Sequence, residues 1–101
     1  MESKVKYKIG QLIEHRLFGY RGVIFDVDSV YSMDDEWYEQ MAKSKPPKNE
    51  PWYRVLVHNA SYTTYVAEKN LATDASDDQI NHPDLGKHFS HFIDGQYLAK
   101  N

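Results

Sequence analysis

Ile9-Gly-Gln-Leu-Ile-Glu-His-Arg-Leu-Phe-Gly-Tyr-Arg-Gly-Val-Ile-Phe-Asp-Val-Asp28 reads as a β-hairpin. On its first arm Ile9 and Ile13 fall on one side of a period-2 pattern, with Gln11 between them. The second arm, Val23, Ile24, Phe25 and Val27, is β-branched and aromatic, the side chains that suit a pleated, half-buried surface. The arms meet through Phe18-Gly19-Tyr20-Arg21-Gly22. Glycine reaches positive φ without a Cβ clash, so two glycines so close together inside a strand-rich run mark a turn and a bulge.

Outward from the hairpin, Ser29-Val30-Tyr31 finishes the second strand and the composition then shifts. Ser32-Met-Asp-Asp35 has the form of a capping box, with Ser32 accepting from first-turn amides and Asp35 reaching back. Asp34, Asp35 and Glu36 suit the positive end of a helix dipole. Trp37, Tyr38 and Met41 make a short apolar stripe, so 33–43 reads as a short helix or an ordered loop. Pro46-Pro47 ends it, and the Lys-, Pro- and Asn-rich run 44–50 reads as a flexible excursion. Trp52-Tyr-Arg-Val-Leu-Val-His58 is the strongest strand after the hairpin, Asn59-Ala60 a turn, and Ser61–Ala67 its antiparallel partner.

Glu68-Lys-Asn-Leu71 reads as the one-turn helix that closes small barrels, and 73–79, polar and acidic, as a surface connection. In the tail Pro83 suits the first position of a short helix, on which Leu85, His88, Phe89 and Phe92 share a face. Asp94-Gly95 is a turn and Gln96-Tyr-Leu98 a last edge strand. The expected fold is mainly β: a small SH3-like β-barrel of about five strands with one or two short helices, one domain over 1–101.

A chain of 101 residues has room for a single core. Eight tyrosines, four phenylalanines and two tryptophans imply a core filled by flat rings, with some left on the surface. Without cysteine there is neither a disulfide framework nor a thiolate metal site, which fits a reducing compartment. The apolar runs are too short for a bilayer helix, and the charged start lacks the hydrophobic stretch of a secretory signal; a cytoplasmic location is the expectation. The net charge of −3 conceals an asymmetry, +3 over residues 1–21 and −6 thereafter. A nucleic-acid face, which needs clustered basic charge, would therefore lie on the amino-terminal hairpin.

His88 and His91 have a spacing that can bring two imidazoles to one metal, with His82 nearby. No third ligand is specified, and a polar helix face beside Phe89 and Phe92 explains them as well. Asp26 and Asp28 share a strand face as paired carboxylates do, yet a solvated strand end accounts for them. No nucleophile signature or phosphate loop is present, so neither an enzyme nor a cofactor is expected. The remaining signal is aromatic and basic interleaving: Lys6, Lys8, His15, Arg16, Tyr20, Arg21 and Arg54 form the candidate nucleic-acid set, able to stack on bases and pair with phosphates. The plainer reading is that Trp52 and Tyr53 straddle a strand, one into the core and one onto its surface.

Lys8–His15, Leu17–Asp28, Pro51–Val57, Thr64–Leu71 and Ile80-Asn-His-Pro83, in this order, resemble the HspQ heat-shock protein family and its wider YccV-like hemimethylated-DNA-binding domain family. The resemblance spans roughly 7–98 and leaves the variable Ser32–Glu50 segment without transferred roles. It implies a bacterial, cytoplasmic SH3-like barrel with no catalytic centre, which self-associates, with a trimer as one form. Two functions come with it: recognition of hemimethylated double-stranded DNA, linked to control of the replication initiator, and a stress-induced partnership with the ATP-dependent Lon protease that promotes degradation of selected proteins. No ligand residues carry over.

The two functions make different physical demands. Reading a methyl group on one strand needs an apolar pocket on a basic platform, and here the platform is weak. A protease adaptor needs an exposed segment and an apolar patch. Trp37 and Tyr38 in the 32–50 excursion, with Tyr97 and Leu98 in the tail, are the candidate protein-partner residues. That balance favours the protease role over DNA, with a plain homo-oligomer interface as the third reading.

Overall fold

The opening stretch folds as β1 (Leu12–His15) and β2 (Arg21–Asp28) in the computed structural model, which describes residues 5–42 and 44–100. Antiparallel pairing extends from this hairpin on both sides. On the β2 side come β3 (Trp52–Val57) and β4 (Thr63–Ala67); on the β1 side comes β5 (Leu71–Thr73). The sheet order is β4-β3-β2-β1-β5. A 3-10 turn, Glu68–Asn70, carries the chain from one edge of the sheet to the other. No ladder joins β4 to β5, so the sheet is open where a closed barrel was expected. β5 is only three residues long and spends its pairing on β1.

Both faces of the sheet are covered, which decides the fate of the aromatics. On the inner face Tyr7, Ile13, Ile24, Tyr53, Val55, Val66 and Leu71 pack together. The outer face carries two clusters. Leu12, Val23 and Leu56 lie under Ile80, Phe89 and Tyr97, and Trp52, Tyr65 and Ala67 lie under Tyr38 and Ala42. Trp52 and Tyr53 do straddle their strand, but both are buried, because each face has its own cover. Each large side chain so buried stabilises the fold by roughly 1.5–3 kcal/mol.

The outer face is covered by α1 (Asp35–Met41) and a second hairpin, β6 (Phe89–Ile93) and β7 (Gln96–Ala99), while Tyr7, from the segment before β1, packs into the inner cluster. The cap of α1 is Asp34, whose Oδ1 accepts from the Trp37 N–H at 2.8 Å. Ser32, expected in that role, instead donates to the Val30 carbonyl. The 44–50 run, expected to be flexible, is laced to its surroundings. The Tyr38 hydroxyl donates to Pro46 O (2.7 Å), Trp52 Nε1 to Pro47 O (3.0 Å) and the Tyr31 N–H to Lys48 O (2.9 Å). In the tail the helix α2 is a single turn, Leu85–His88, and Phe89 to Ile93, expected on its apolar face, are a strand. Asp94 and Gly95 both take positive φ, 53° and 78°, which reverses the chain in two residues and pairs β6 with β7. A hydrogen bond from the Tyr97 N–H to Gly10 O (2.8 Å) ties this hairpin to the sheet.

Register places the remaining polar groups. The β2–β3 pairing shifts between Ile24 and Asp26, so Phe25 is the extra residue of a bulge. Beyond it Asp26 stands opposite Arg54, and Asp28 opposite Trp52. Arg54 thereby meets two carboxylates on the outer face.

Candidate functional site

The β1–β2 turn is built around His15. Its Nδ1 accepts from the N–H groups of Leu17 and Phe18, both at 3.1 Å. Gly19, at φ 76°, lets the chain double back so that its own N–H reaches His15 O at 2.8 Å. An Nδ1 that accepts two hydrogen bonds carries no proton, so the ring is neutral with its proton on Nε2. Burial acts in the same direction and lowers the His15 pKa. A turn this tight leaves no core for its own apolar residues. Leu17 and Phe18 are 60% and 70% exposed, with Phe18 stacked on the His15 ring at 4.6 Å.

This turn is one wall of a groove of about 340 Å³. Trp37 and Met41 of α1, with Met33, form the opposite wall, and Trp52, Tyr65, Thr63 and Thr64 contribute the strand between them. Trp52 and Tyr65 stack at 5.2 Å, and the Tyr20 hydroxyl meets Thr64 Oγ1 at 2.8 Å, fixing the turn against β4. Among the described residues of the lining the one cation, Arg54, is already engaged. Its guanidinium lies 4.5 Å from the Tyr65 ring centroid, 3.7 Å from Asp26 and 3.5 Å from Asp28. Burial, together with a 2.7 Å hydrogen bond donated to Asp28, pushes the Tyr65 hydroxyl up to about 12. The groove thus offers rings, two thioethers and very little free charge.

Of the residues singled out from the sequence, His15, Tyr20, Arg54 and Trp37 line this groove. Tyr38 lies beneath α1 against Trp52, with 9% of its surface exposed. Arg21 sits elsewhere, paired with Asp74 at 2.8 Å. Lys6, Lys8 and Arg16 are exposed and make no ion pair among the described residues. Tyr97 is in the core, where its hydroxyl accepts from the Ile80 N–H at 3.0 Å, while Leu98 points outward. His88 packs on Phe25 at 4.6 Å and His91 Nδ1 meets Ser90 Oγ, so the helical spacing read for them does not exist. Phe18, Leu17 and Met33 were not singled out. The available signal was two adjacent apolar residues entering a glycine turn, where no strand face exists to bury them.

A family model described as "Hemimethylated DNA-binding protein YccV like" matches residues 5–96. The chain belongs to the YccV-like family. It is also 35% identical over 96 residues to F-box only protein 21 of Homo sapiens and of Mus musculus. Those matches cover 93% of this chain but 15% of the relatives, so the YccV-like unit is a small part of a much longer protein there. Among the described residues no helix is long and apolar enough to cross a membrane.

Proposed function

We propose that this YccV-like domain is a non-catalytic protein-binding module of cytoplasmic quality control, a specificity factor that presents client proteins to the ATP-dependent Lon protease. The observation that carries this reading is the groove. It has a preformed cavity and stacked rings at its base, and Leu17, Phe18 and Met41 at its mouth are each 60% exposed or more. Apolar side chains grouped around a concavity suit an apolar polypeptide segment of the kind that unfolding exposes. The protease and the heat-shock setting come from the resemblance to the HspQ family. Self-association, with a trimer as one form, fits a separate face. Ile93 and Leu98 project from the same side of the β6–β7 hairpin and are 49% and 39% exposed.

The test is degradation of a heat-denatured reporter by purified Lon with ATP, with and without the domain. The wild-type domain should accelerate degradation, and Phe18→Ala and Trp37→Ala, with their folding checked by circular dichroism, should lose most of that effect. A domain without influence on degradation, or groove variants as active as wild type, ends this reading.

Hemimethylated-DNA binding is the second reading, favoured by the family match. Lys6, Lys8 and Arg16 would supply the phosphate contacts and the aromatic groove an apolar niche for a methyl group.

A further inference from the structure

An edge strand runs through the groove. The Val57 N–H donates to Tyr62 O at 3.4 Å, and the Glu68 N–H donates to Pro51 O at 3.0 Å, at the two ends of the β3–β4 pairing. In an antiparallel ladder alternate residues turn both backbone groups toward the partner strand. With Val55 opposite Thr64 and Tyr53 opposite Val66, residues 62, 64, 66 and 68 therefore face β3. Thr63 and Tyr65 turn their N–H and C=O groups off the sheet, where no described residue bonds to them. Both line the groove between α1 and the His15 turn.

Charge adds a second constraint. Among the described residues on the α1 side, six carboxylates, Asp26, Asp28, Asp34, Asp35, Glu36 and Glu39, stand against three cations, Lys45, Lys48 and Arg54. Each of those cations is already paired with one of these acids. The excess is negative, which repels a phosphate backbone and suits a basic side chain.

We propose that β4 is a peptide-docking edge. An extended segment of a partner protein, with alternating apolar side chains and at least one Lys or Arg, adds beside Thr63 and Tyr65 as a further strand. The backbone bonds hold it without regard to sequence. Alternate side chains of an added strand fall on one face, so every second residue enters the aromatic groove. The basic residue meets the acidic side formed by α1. This deepens the proposed function and rests on the groove being the client site.

The experiment uses the full chain and three fluorescein-labelled short peptides. One alternates apolar residues with Lys, the second has Glu in place of Lys, and the third is the Lys peptide N-methylated at alternate amides. Fluorescence anisotropy reads the affinity, and amide hydrogen exchange reads Thr63 and Tyr65. The Lys peptide should bind and slow exchange at both residues. The Glu peptide should bind more weakly. N-methylation, which deletes two or more backbone bonds, should cost about tenfold or more in affinity. No binding by the Lys peptide, equal binding after N-methylation, or unprotected Thr63 and Tyr65 amides would overturn the proposal. So would protection of those amides in the free protein that grows with its concentration, which would assign the edge to a second copy.

The two readings fail separately. Equal binding after N-methylation, with Phe18→Ala still blocking client degradation, removes strand addition and keeps the groove. Strand addition alongside unimpaired degradation by Phe18→Ala removes the client reading alone.

Discussion

Arg21 places both Nε and Nη2 at 2.8 Å from Asp74 Oδ2, so a residue that the sequence suggests for phosphate contact is a clamp between β2 and the segment after β5. Burial alone would raise the Asp74 pKa. The hydrogen bonds from Arg21 and Ser76 outweigh it and hold the carboxyl below its usual range. Arg21→Ala leaves a carboxylate with 5% exposure without its cationic partner, holding only the bonds from Ser76. Breaking a buried pair costs about 3–5 kcal/mol, and the partial exposure of Arg21 puts the expected loss near the lower end. Urea denaturation should show that loss, and Arg16→Ala should stay within about 0.5 kcal/mol of wild type. Equal stabilities for the two variants would contradict the clamp.

His15 makes the fold sensitive to acid. Its folded pKa lies below 6.5, the value of the unconstrained side chain, because the ring is buried, and its Nδ1 lone pair is taken by two backbone N–H groups. Below about pH 6.5 the unfolded chain therefore binds a proton that the folded protein refuses, and stability falls wherever the unfolded state binds more protons. The contribution is complete above that pH and shrinks as pH drops toward the lowered folded value. His15→Asn keeps a side-chain acceptor for the turn and does not titrate. Its unfolding free energy should vary less than that of wild type between about pH 5 and 6.5. Parallel pH profiles would show that His15 does not carry the effect.

The central hairpin, the β3–β4 pair and the one-turn connection at Glu68–Asn70 were legible because period-2 patterning and glycine placement are local signals. The tail was not. Leu85, His88, Phe89 and Phe92 satisfy a helical spacing, but Phe89 is buried against the outer face of the sheet and Phe92 packs on Tyr97 at 4.7 Å, contacts that only the tertiary fold supplies. Only part of the groove was visible, as the separate residues His15, Tyr20, Trp37 and Arg54. Their gathering depends on α1 folding back over Trp52, and the pairing of Arg54 with Asp26 and Asp28 depends on a bulge at Phe25 that no local pattern marks.

Gly10 fixes the second hairpin to the sheet at close range. It has φ 94°, and a Cβ built there falls 2.0 Å from the Tyr97 carbonyl oxygen, which is backbone and has little room to yield. Gly10→Ala should destabilise the protein by more than the roughly 1 kcal/mol of an ordinary glycine replacement, because steric overlap adds to an unfavourable φ. Hydrogen exchange should show β6 and β7 losing protection before β2 and β3 do. Unchanged protection of the Tyr97 amide would mean that the hairpin is held by other contacts.

DNA binding, if present, should carry a shallow salt dependence. Each phosphate neutralised adds about −0.9 to the slope of log K against log salt. With Arg21 and Arg54 committed to carboxylates, the cations left from the candidate set are Lys6, Lys8 and Arg16, so the slope should be about −3 at most. Anisotropy titrations of hemimethylated, fully methylated and unmethylated duplexes over a range of salt concentrations measure it directly. Lys8→Ala and Arg16→Ala should each reduce the slope by about one while leaving any preference among the duplexes intact, since phosphate contacts position and base contacts specify. Phe18→Ala should do the reverse if the groove reads the methyl group. A slope much steeper than −3 would mean that cations beyond Lys6, Lys8 and Arg16 take part, and Arg54→Ala weakening binding as much as Arg16→Ala does would identify Arg54, released from its carboxylates, as one of them.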